Sequence, residues 1–373
     1  MEYITYKMIE ISKLNSGGDR PKIYSDTKTN ECCFPIFSNG LQDEGLYGYT
    51  NKATMPSDTI TVSARGANIG EVFYRKEDFL PIVRLITIIP DSNYVHSKYL
   101  YYYLKKVKIE GSGSAQPQIT VPFFSRHKIV IPKDVEYQKK VAYILSAYDN
   151  LIENNNKRIK LLEQMSENLY KEWFVRLRFP GYENVKFNSS VPSGWQYLPI
   201  SETIFFYDSQ RVPLSSMERD KMDKIYPYYG AAKLMDYVDD YLFDGEYLLM
   251  GEDGTVITSD GFPVLQLVNG KFWVNNHAHV IGGKGDISTR FLYLTFSRFP
   301  ITGVVTGSAQ PKISKGRLEK LKILVPEVKI MEQFNNLINP IFDEMNLLKK
   351  QLINITKQRD MLLPRLMSGK LEV

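Results

Sequence analysis

The segment Gly113-Ser114-Ala115-Gln116-Pro117 returns 194 positions later as Gly307-Ser308-Ala309-Gln310-Pro311, and the match runs on without a gap. GSAQPQITVPFFSRHKIVIP (113–132) and GSAQPKISKGRLEKLKILVP (307–326) both end in a basic residue, an apolar run and proline. Self-similarity of this kind means one structural plan used twice, so any fold assigned to the first half must also suit the second. Fainter anchors keep the same order upstream. VHSKYLYYYL (95–104) answers ISTRFLYLTF (287–296), and Tyr49, Gly66 and Ile69 answer Tyr237, Gly254 and Ile257. That alignment sets SARGANIG (63–70) against GEDGTVI (251–257), one frame with two chemistries.

Each half then passes into a long stretch poor in glycine, about 136–175 and about 329–368, whose apolar positions recur every three or four residues. In the first, Val141, Leu145, Tyr148, Ile152, Asn155, Ile159, Leu162, Ser166, Leu169 and Trp173 alternate in steps of four and three, the spacing of a coiled-coil seam. Ile341, Met345, Leu348, Leu352, Ile355, Arg359 and Leu362 repeat it in the second, between Pro340 and Pro364, which should start or kink that helix. Two matched seams in one chain predict that the helices pack on each other. Asn155 either fixes the register of the seam from inside or marks a solvated position.

The order is therefore a globular unit (1–133), a helical spacer (134–177), a linker (178–195) rich in Pro, Gly, Ser and Asn, a second globular unit (196–326) and a second helical spacer (327–373). Short β-rich runs such as TITVS and KILVP alternate with turns and one or two helices, so the class is α+β: two tandem domains related by the repeat, separated by two long helices. With 373 residues and 43% hydrophobic content the chain can bury more than one core. Its two cysteines, the neighbours Cys32 and Cys33, exclude a disulfide framework and a cysteine-based zinc site. A reducing, cytoplasmic setting is expected, since no apolar run approaches the roughly 20 residues of a membrane span.

A duplicated GSAQP segment, the helical run QKKVAYILSAYDNLIENNNKRIKLLEQMSENLYKEWF and the ending LLPRLMSGKLEV together resemble the specificity subunits of type I restriction–modification systems, over nearly the whole chain. The resemblance implies that the globular halves are target recognition domains for double-stranded DNA. It implies that the helices form an antiparallel coiled coil that spaces them and docks two adenine methyltransferase subunits, with nuclease-translocase subunits joining for restriction. It implies no catalytic residue and no cofactor on this chain; S-adenosylmethionine, ATP and Mg belong to the partners. Two readers held apart by a rod suit a two-part site with a fixed spacer. About 27 helical residues span roughly 40 Å, comparable to one turn of B-DNA.

Base-reading candidates lie where the repeat diverges. In the first domain they are Asn39, Gln42, Arg65 and Asn68; in the second, Ser209, Gln210, Arg211, Asn275 and Asn276. Arginine pairs with guanine, and asparagine or glutamine with adenine, through two hydrogen bonds each. Gln116 and Gln310 are added from the repeated GSAQP turn, which is otherwise a tight structural turn between helix and strand. Phosphate candidates are Lys98, Lys105, Lys106, Lys108, Arg126 and Lys128 in the first domain, and Lys312, Lys315, Arg317, Lys320 and Lys322 in the second. Basic residues outnumber acidic ones in 1–133 but not in 181–326, where Asp236, Asp239, Asp240, Asp244, Glu246, Glu252, Asp253 and Asp260 crowd together. That stretch should face away from phosphate or accept from cytosine amino groups.

Other motifs are decoys. Asn339-Pro340-Ile341-Phe342 approximates the Asn-Pro-Pro-Phe motif of amino-methyltransferases, but it lies in a seam with no Gly-rich cofactor loop beside it, and no phosphate loop occurs. His277 and His279 have the spacing of ligands on a strand without an evident third, so they read as strand histidines rather than as a metal site. Tyr101, Tyr102 and Tyr103 have the spacing of core residues in a helix. The rivals to a DNA reader are a modification enzyme with duplicated recognition domains, which the missing motifs disfavour, and a coiled-coil scaffold, which leaves two divergent globular halves unexplained.

Overall fold

A computed structural model of the chain describes residues 2–107, 109, 111, 118–188, 190–307, 310–371 and 373. Two compact units divide it. One comprises Met1–Asn154 with Leu352–Val373, the other Asn155–Gln351. Each contains one globular domain and one portion of each long helix.

In the first unit, strands Tyr3–Lys7 and Lys128–Pro132 pair antiparallel and close the domain by joining its first strand to its last. A four-stranded sheet runs in the order Ser12–Ser16, Ile86–Pro90, Ile60–Val62, Val72–Tyr74, all antiparallel, and a three-stranded sheet is formed by Leu46–Thr50, Phe34–Phe37 and Leu80–Pro81. Helix Ser97–Lys106 buries Tyr99, Leu100, Tyr102 and Leu104. They join Ile60, Val62, Ile86, Ile88 and Phe124 in one core, which also takes Val141, Leu145, Leu366 and Met367 from the long helices.

The second unit repeats this plan on a larger scale. Strands Gln196–Pro199 and Lys322–Val325 close the domain antiparallel. A six-stranded sheet runs Ile204–Phe206, Ala278–Gly283, Phe243–Gly251, Leu265–Val274, Tyr226–Tyr229, Leu234–Val238. Helix Thr289–Phe296 starts at Ser288, whose hydroxyl accepts from the Phe291 N–H, and buries Phe291, Leu292, Leu294 and Phe296. The class is α+β, with helices packed to one side of mainly antiparallel sheets.

The long helices are Val135–Tyr170, prolonged by a π-helical turn at Lys171–Val175, and Val328–Met367. Every seam residue expected from the four-three spacing is buried or half-buried. Within the first unit the two segments run antiparallel: the Tyr137 hydroxyl donates to the Leu366 carbonyl at 3.1 Å, and Arg359 pairs with Asp149 at 2.8 Å. Within the second they do so again: Arg158 pairs with Glu344, and further along the first helix Trp173 and Phe174 pack on Phe334. Asn155 is 6% exposed and donates to Gln351 at 3.3 Å, so it lies inside the seam rather than at a solvated gap. A polar residue buried in the seam in this way penalises other registers.

Two expectations change. Pro340 does not start the second helix: the helix begins at Val328 and runs through both Pro340 and Pro364, giving up the hydrogen bond each proline cannot donate. Residues 178–195 are folded rather than a loose connection. They carry the short hairpin Phe187–Asn188 with Val191–Pro192, while Phe179 and Trp195, with ring centroids 4.9 Å apart, are buried in the second core. Phe342, in the methyltransferase-like decoy, is likewise a core residue set edge-on to Tyr293. No helix among the described residues is long and apolar enough to cross a membrane.

Candidate nucleic-acid interface

In the first domain, strands Ile60–Val62 and Val72–Tyr74 are joined by the loop 63–71. Gly66 adopts φ +81 and Gly70 φ +87, a region that L side chains seldom enter, and a Cβ on Gly70 would lie 2.3 Å from the Ile109 carbonyl. The chain following the repeated GSAQP segment lies against this loop, with the Ile119 N–H donating to the Ala64 carbonyl at 2.9 Å. Beside that bond the exposed Arg65 donates to Gln118 Oε1 at 3.2 Å.

The second domain builds the same junction. Gly254 has φ +82 at the place of Gly66. The Ile313 N–H donates to the Glu252 carbonyl at 2.8 Å, as Ile119 does to Ala64. Gly254 N–H also reaches the Pro311 carbonyl at 3.0 Å, and Asp253 bridges Lys312 in the backbone ladder. Thus Arg65 and Gln118 of one domain correspond to Asp253 and Lys312 of the other. Four loops converge here: 208–211, 251–254, 275–279 and 310–313.

The sequence candidates separate into tethers and free edges. Asn39 accepts from the Ala64 N–H at 2.8 Å and donates to the Val83 carbonyl at 2.7 Å, so its amide holds the loop instead of facing outward. Asn68 donates to the Asn39 carbonyl at 3.4 Å and helps it. Arg211, expected to read a base, is largely buried. It donates to Glu252 at 2.7 Å, to the Ala278 carbonyl at 2.7 Å and to the Asp208 carbonyl at 2.9 Å. Asn275 is 5% exposed and accepts from the His277 N–H at 2.9 Å. Gln42, Arg65, Ser209, Gln210, Asn276 and Gln310 are exposed. Gln116 and Lys108 lie outside the described residues.

Among the phosphate candidates, Lys105, Lys106, Arg126, Lys128, Lys312, Lys315, Arg317, Lys320 and Lys322 are exposed. Lys98 is half-buried over the Tyr74 ring, 5.7 Å from its centroid, and Lys105 donates to Tyr101 at 3.0 Å. Arg126 and Lys128 line an open groove of about 570 Å³ with Pro122, Phe123 and His127. Lys312 is 3.4 Å from Glu252, and Lys315 lies over Phe206 at 4.8 Å.

Residues missed from the sequence are Gln118 and Asp208, and His279, read there as a strand histidine, is the partner of Asp208. Gln118 and Lys312 occupy one position after the GSAQP match, so a residue-by-residue comparison beyond the identical segment would have found the pair. Asp208 and His279 are 71 residues apart in sequence, and only the fold joins them, at 2.7 Å. Burial opposes the charge on Asp208, but the hydrogen bond and charge of His279, the Val280 N–H and Arg211 together hold its carboxyl below the usual carboxylate range.

Comparison with known proteins gives one consistent result. A sequence model described as the type I restriction modification DNA specificity domain matches residues 2–164 and again 192–357. The MjaIX specificity subunit of a type I restriction enzyme of Methanocaldococcus jannaschii is 27% identical over 346 residues, covering 85% of this chain and 78% of that one. A putative type I specificity subunit of Mycoplasma pneumoniae is 35% identical over 155 residues, 41% of this chain and 45% of its own. The crystal structure of the S subunit of a type I restriction-modification system from M. genitalium superposes with a TM-score of 0.72 over 98% of this chain and 96% of its own, at 17% identity, which establishes a shared fold.

Proposed function

Because this chain belongs to the type I restriction modification DNA specificity family, we propose that it is the sequence-reading subunit of such a complex. It binds a bipartite, asymmetric DNA site, one half-site per domain, across a spacer of fixed length. The observation that carries this reading is the doubled junction between the loop and the residues that follow each GSAQP segment. Backbone hydrogen bonds hold the two copies alike, at Ala64 with Ile119 and at Glu252 with Ile313, while their exposed side chains differ. A frame fixed by backbone and a variable edge are what two readers of different sequences require.

The chain is itself non-catalytic. It docks two adenine methyltransferase subunits along its long helices, whose outward faces expose Tyr143, Leu151, Leu161, Met165, Leu347 and Ile353. Nuclease-translocase subunits join for restriction, and S-adenosylmethionine, ATP and Mg are bound by those partners. Exposed lysines and arginines meet phosphate and set orientation, and Arg65 contacts a base, with guanine its preferred partner. Genome-wide mapping of N6-methyladenine with and without the gene tests this function. A bipartite motif that vanishes on deletion is expected, and an unchanged methylome would refute it.

A further inference from the structure

The turn that joins strand Leu80–Pro81 to strand Ile86–Pro90 puts two consecutive residues with side chains in the left-handed region, Val83 at φ +55 and Arg84 at φ +58. A β-branched residue seldom enters that region, because its branched Cβ crowds the backbone, and glycine would make the same turn without strain. Such conformations persist only where the surrounding structure over-determines them. Here the Val83 N–H donates to the Gly18 carbonyl at 2.8 Å, the Arg84 N–H to the Gly17 carbonyl at 3.0 Å and the Leu85 N–H to the Ile82 carbonyl at 3.1 Å. The Asn39 amide, which accepts from the Ala64 N–H, donates to the Val83 carbonyl, so one side chain locks this turn to the loop that carries Arg65. Both strained residues are exposed, Val83 at 52%, and among the described residues the Arg84 guanidinium has no hydrogen bond or ion pair.

The ladders set Ile82–Leu85 in the place of Asn275–Ala278 in the second domain. Pro81 and Val274 end the parallel pairings at Phe37 and Tyr229, and Ile86 and His279 stand opposite Val62 and Met250. Both turns bury their first and last residues and expose the middle pair, Val83-Arg84 in one and Asn276-His277 in the other. None of residues 275–278 has a positive φ. Asn275 shapes that turn by accepting from the His277 N–H, which Ile82 has no side-chain acceptor to do. His277 leans on Asp253, and the first domain carries arginines, Arg84 and Arg65, at those two places.

The adjoining loop differs in the opposite sense. Ser16 lies opposite Ile86 where Asp208 lies against His279, so Gly17 and Gly18 stand where the second domain exposes Ser209 and Gln210. A Cβ on Gly17 would lie 2.8 Å from the Ile82 backbone. The first domain thus clears one loop of side chains, and the next closes on it and projects Val83 and Arg84.

We propose that Val83 and Arg84 are specificity-determining residues of the first domain, Arg84 reading guanine through its two-pronged guanidinium and Val83 packing on a thymine methyl. The inference rests on the DNA-reading function proposed above and adds a second loop to that domain's reading edge. Strain at an exposed turn serves no folding purpose, since two glycines would close it better. Holding two side chains outward gives it one, because a turn fixed before binding loses little freedom on binding.

The test uses the assembled methyltransferase complex and duplexes carrying its methylome-derived site, with each base pair of a half-site replaced in turn. The first domain's half-site is the one kept when residues 196–326 are exchanged for those of a relative. Arg84→Ala should cut the affinity penalty for replacing one G·C pair of that half-site about tenfold, at a position other than the one Arg65→Ala relaxes, and leave the second half-site's penalties level. Arg84→Lys should do the same, because an ammonium keeps the charge and loses the fork, whereas a phosphate contact would survive that change. Val83→Gly relieves the backbone, so the thermal midpoint of the complex should hold or rise. The penalty for replacing a thymine of the same half-site, or for removing its methyl group as uracil, should fall about threefold. First-half-site penalties unchanged in both Arg84→Ala and Val83→Gly would overturn the proposal, as would an Arg84→Lys complex that discriminates as the unmodified one does. Binding with no sequence preference at either half-site in the unmodified complex would instead overturn the DNA-reading function itself.

Discussion

The two domains place opposite charges on one frame. Where the first turns at Gly66 with Arg65 beside Gln118, the second turns at Gly254 with Asp253 beside His277 and Lys312. Beneath these turns the first domain buries Ile86 and Ala64, with the exposed Ser16 opposite Ile86, and the second holds Asp208, His279 and Glu252. The difference teaches how a reader can diverge without unfolding. The chain after each GSAQP segment is held by main-chain hydrogen bonds, which do not depend on the side chain at either end, so the outward residues are free to change.

The contrast can be broken most severely at the helix that backs each sheet. Arg290 donates to both oxygens of Glu246 and to Asp343 and the Asn339 carbonyl, with a side chain 11% exposed. Lys98 stands at the same place in the repeat, over the Tyr74 ring, and makes no comparable network among the described residues. Arg290→Ala should cost the second domain about 3–5 kcal/mol through the stranded Glu246. Lys98→Ala should stay within about 0.5 kcal/mol in the first. Urea unfolding followed by domain-resolved hydrogen exchange measures both.

A smaller effect is expected at the reading edge. Arg65→Ala should relax one half-site alone, by about 1–3 kcal/mol of discrimination, and Asp253→Asn should alter only the other, both read from competition binding. Acid should also separate the domains. The Asp208 carboxyl lies below its ordinary range, so the stability it contributes is complete above the usual carboxylate pKa and is lost as pH falls through the lowered value. Hydrogen exchange in Ala278–Gly283 should therefore rise in acid before that in Ile86–Pro90, where Ser16 does not titrate. The smallest change is at Lys312. Lys312→Ala should reduce the salt dependence of binding by about one unit of slope or less, because Glu252 already shares its charge.

The frame was legible in the sequence because it is periodic. The repeat set Gln118 and Ile119 in the places of Lys312 and Ile313, and the four-three spacing marked the seam, including Asn155. Pro340 misled because proline is a local signal, whereas the packed seam around Met345 and Leu348 carries the helix through it. The reading edge was legible only in outline. Asn39 and Arg211 have the right chemistry for reading bases, and the same chemistry makes them good tethers. What separates the two roles is a partner far along the chain, Val83 for Asn39 and Glu252 for Arg211, and periodicity does not report partners.

Two domains of one frame are proposed to read separate half-sites. Replacing residues 196–326 with the matching domain of a relative, and mapping N6-methyladenine in the cell that carries the hybrid, tests it directly. One half of the bipartite motif should change while the other half is kept. A motif altered in both halves, or in neither, would contradict it.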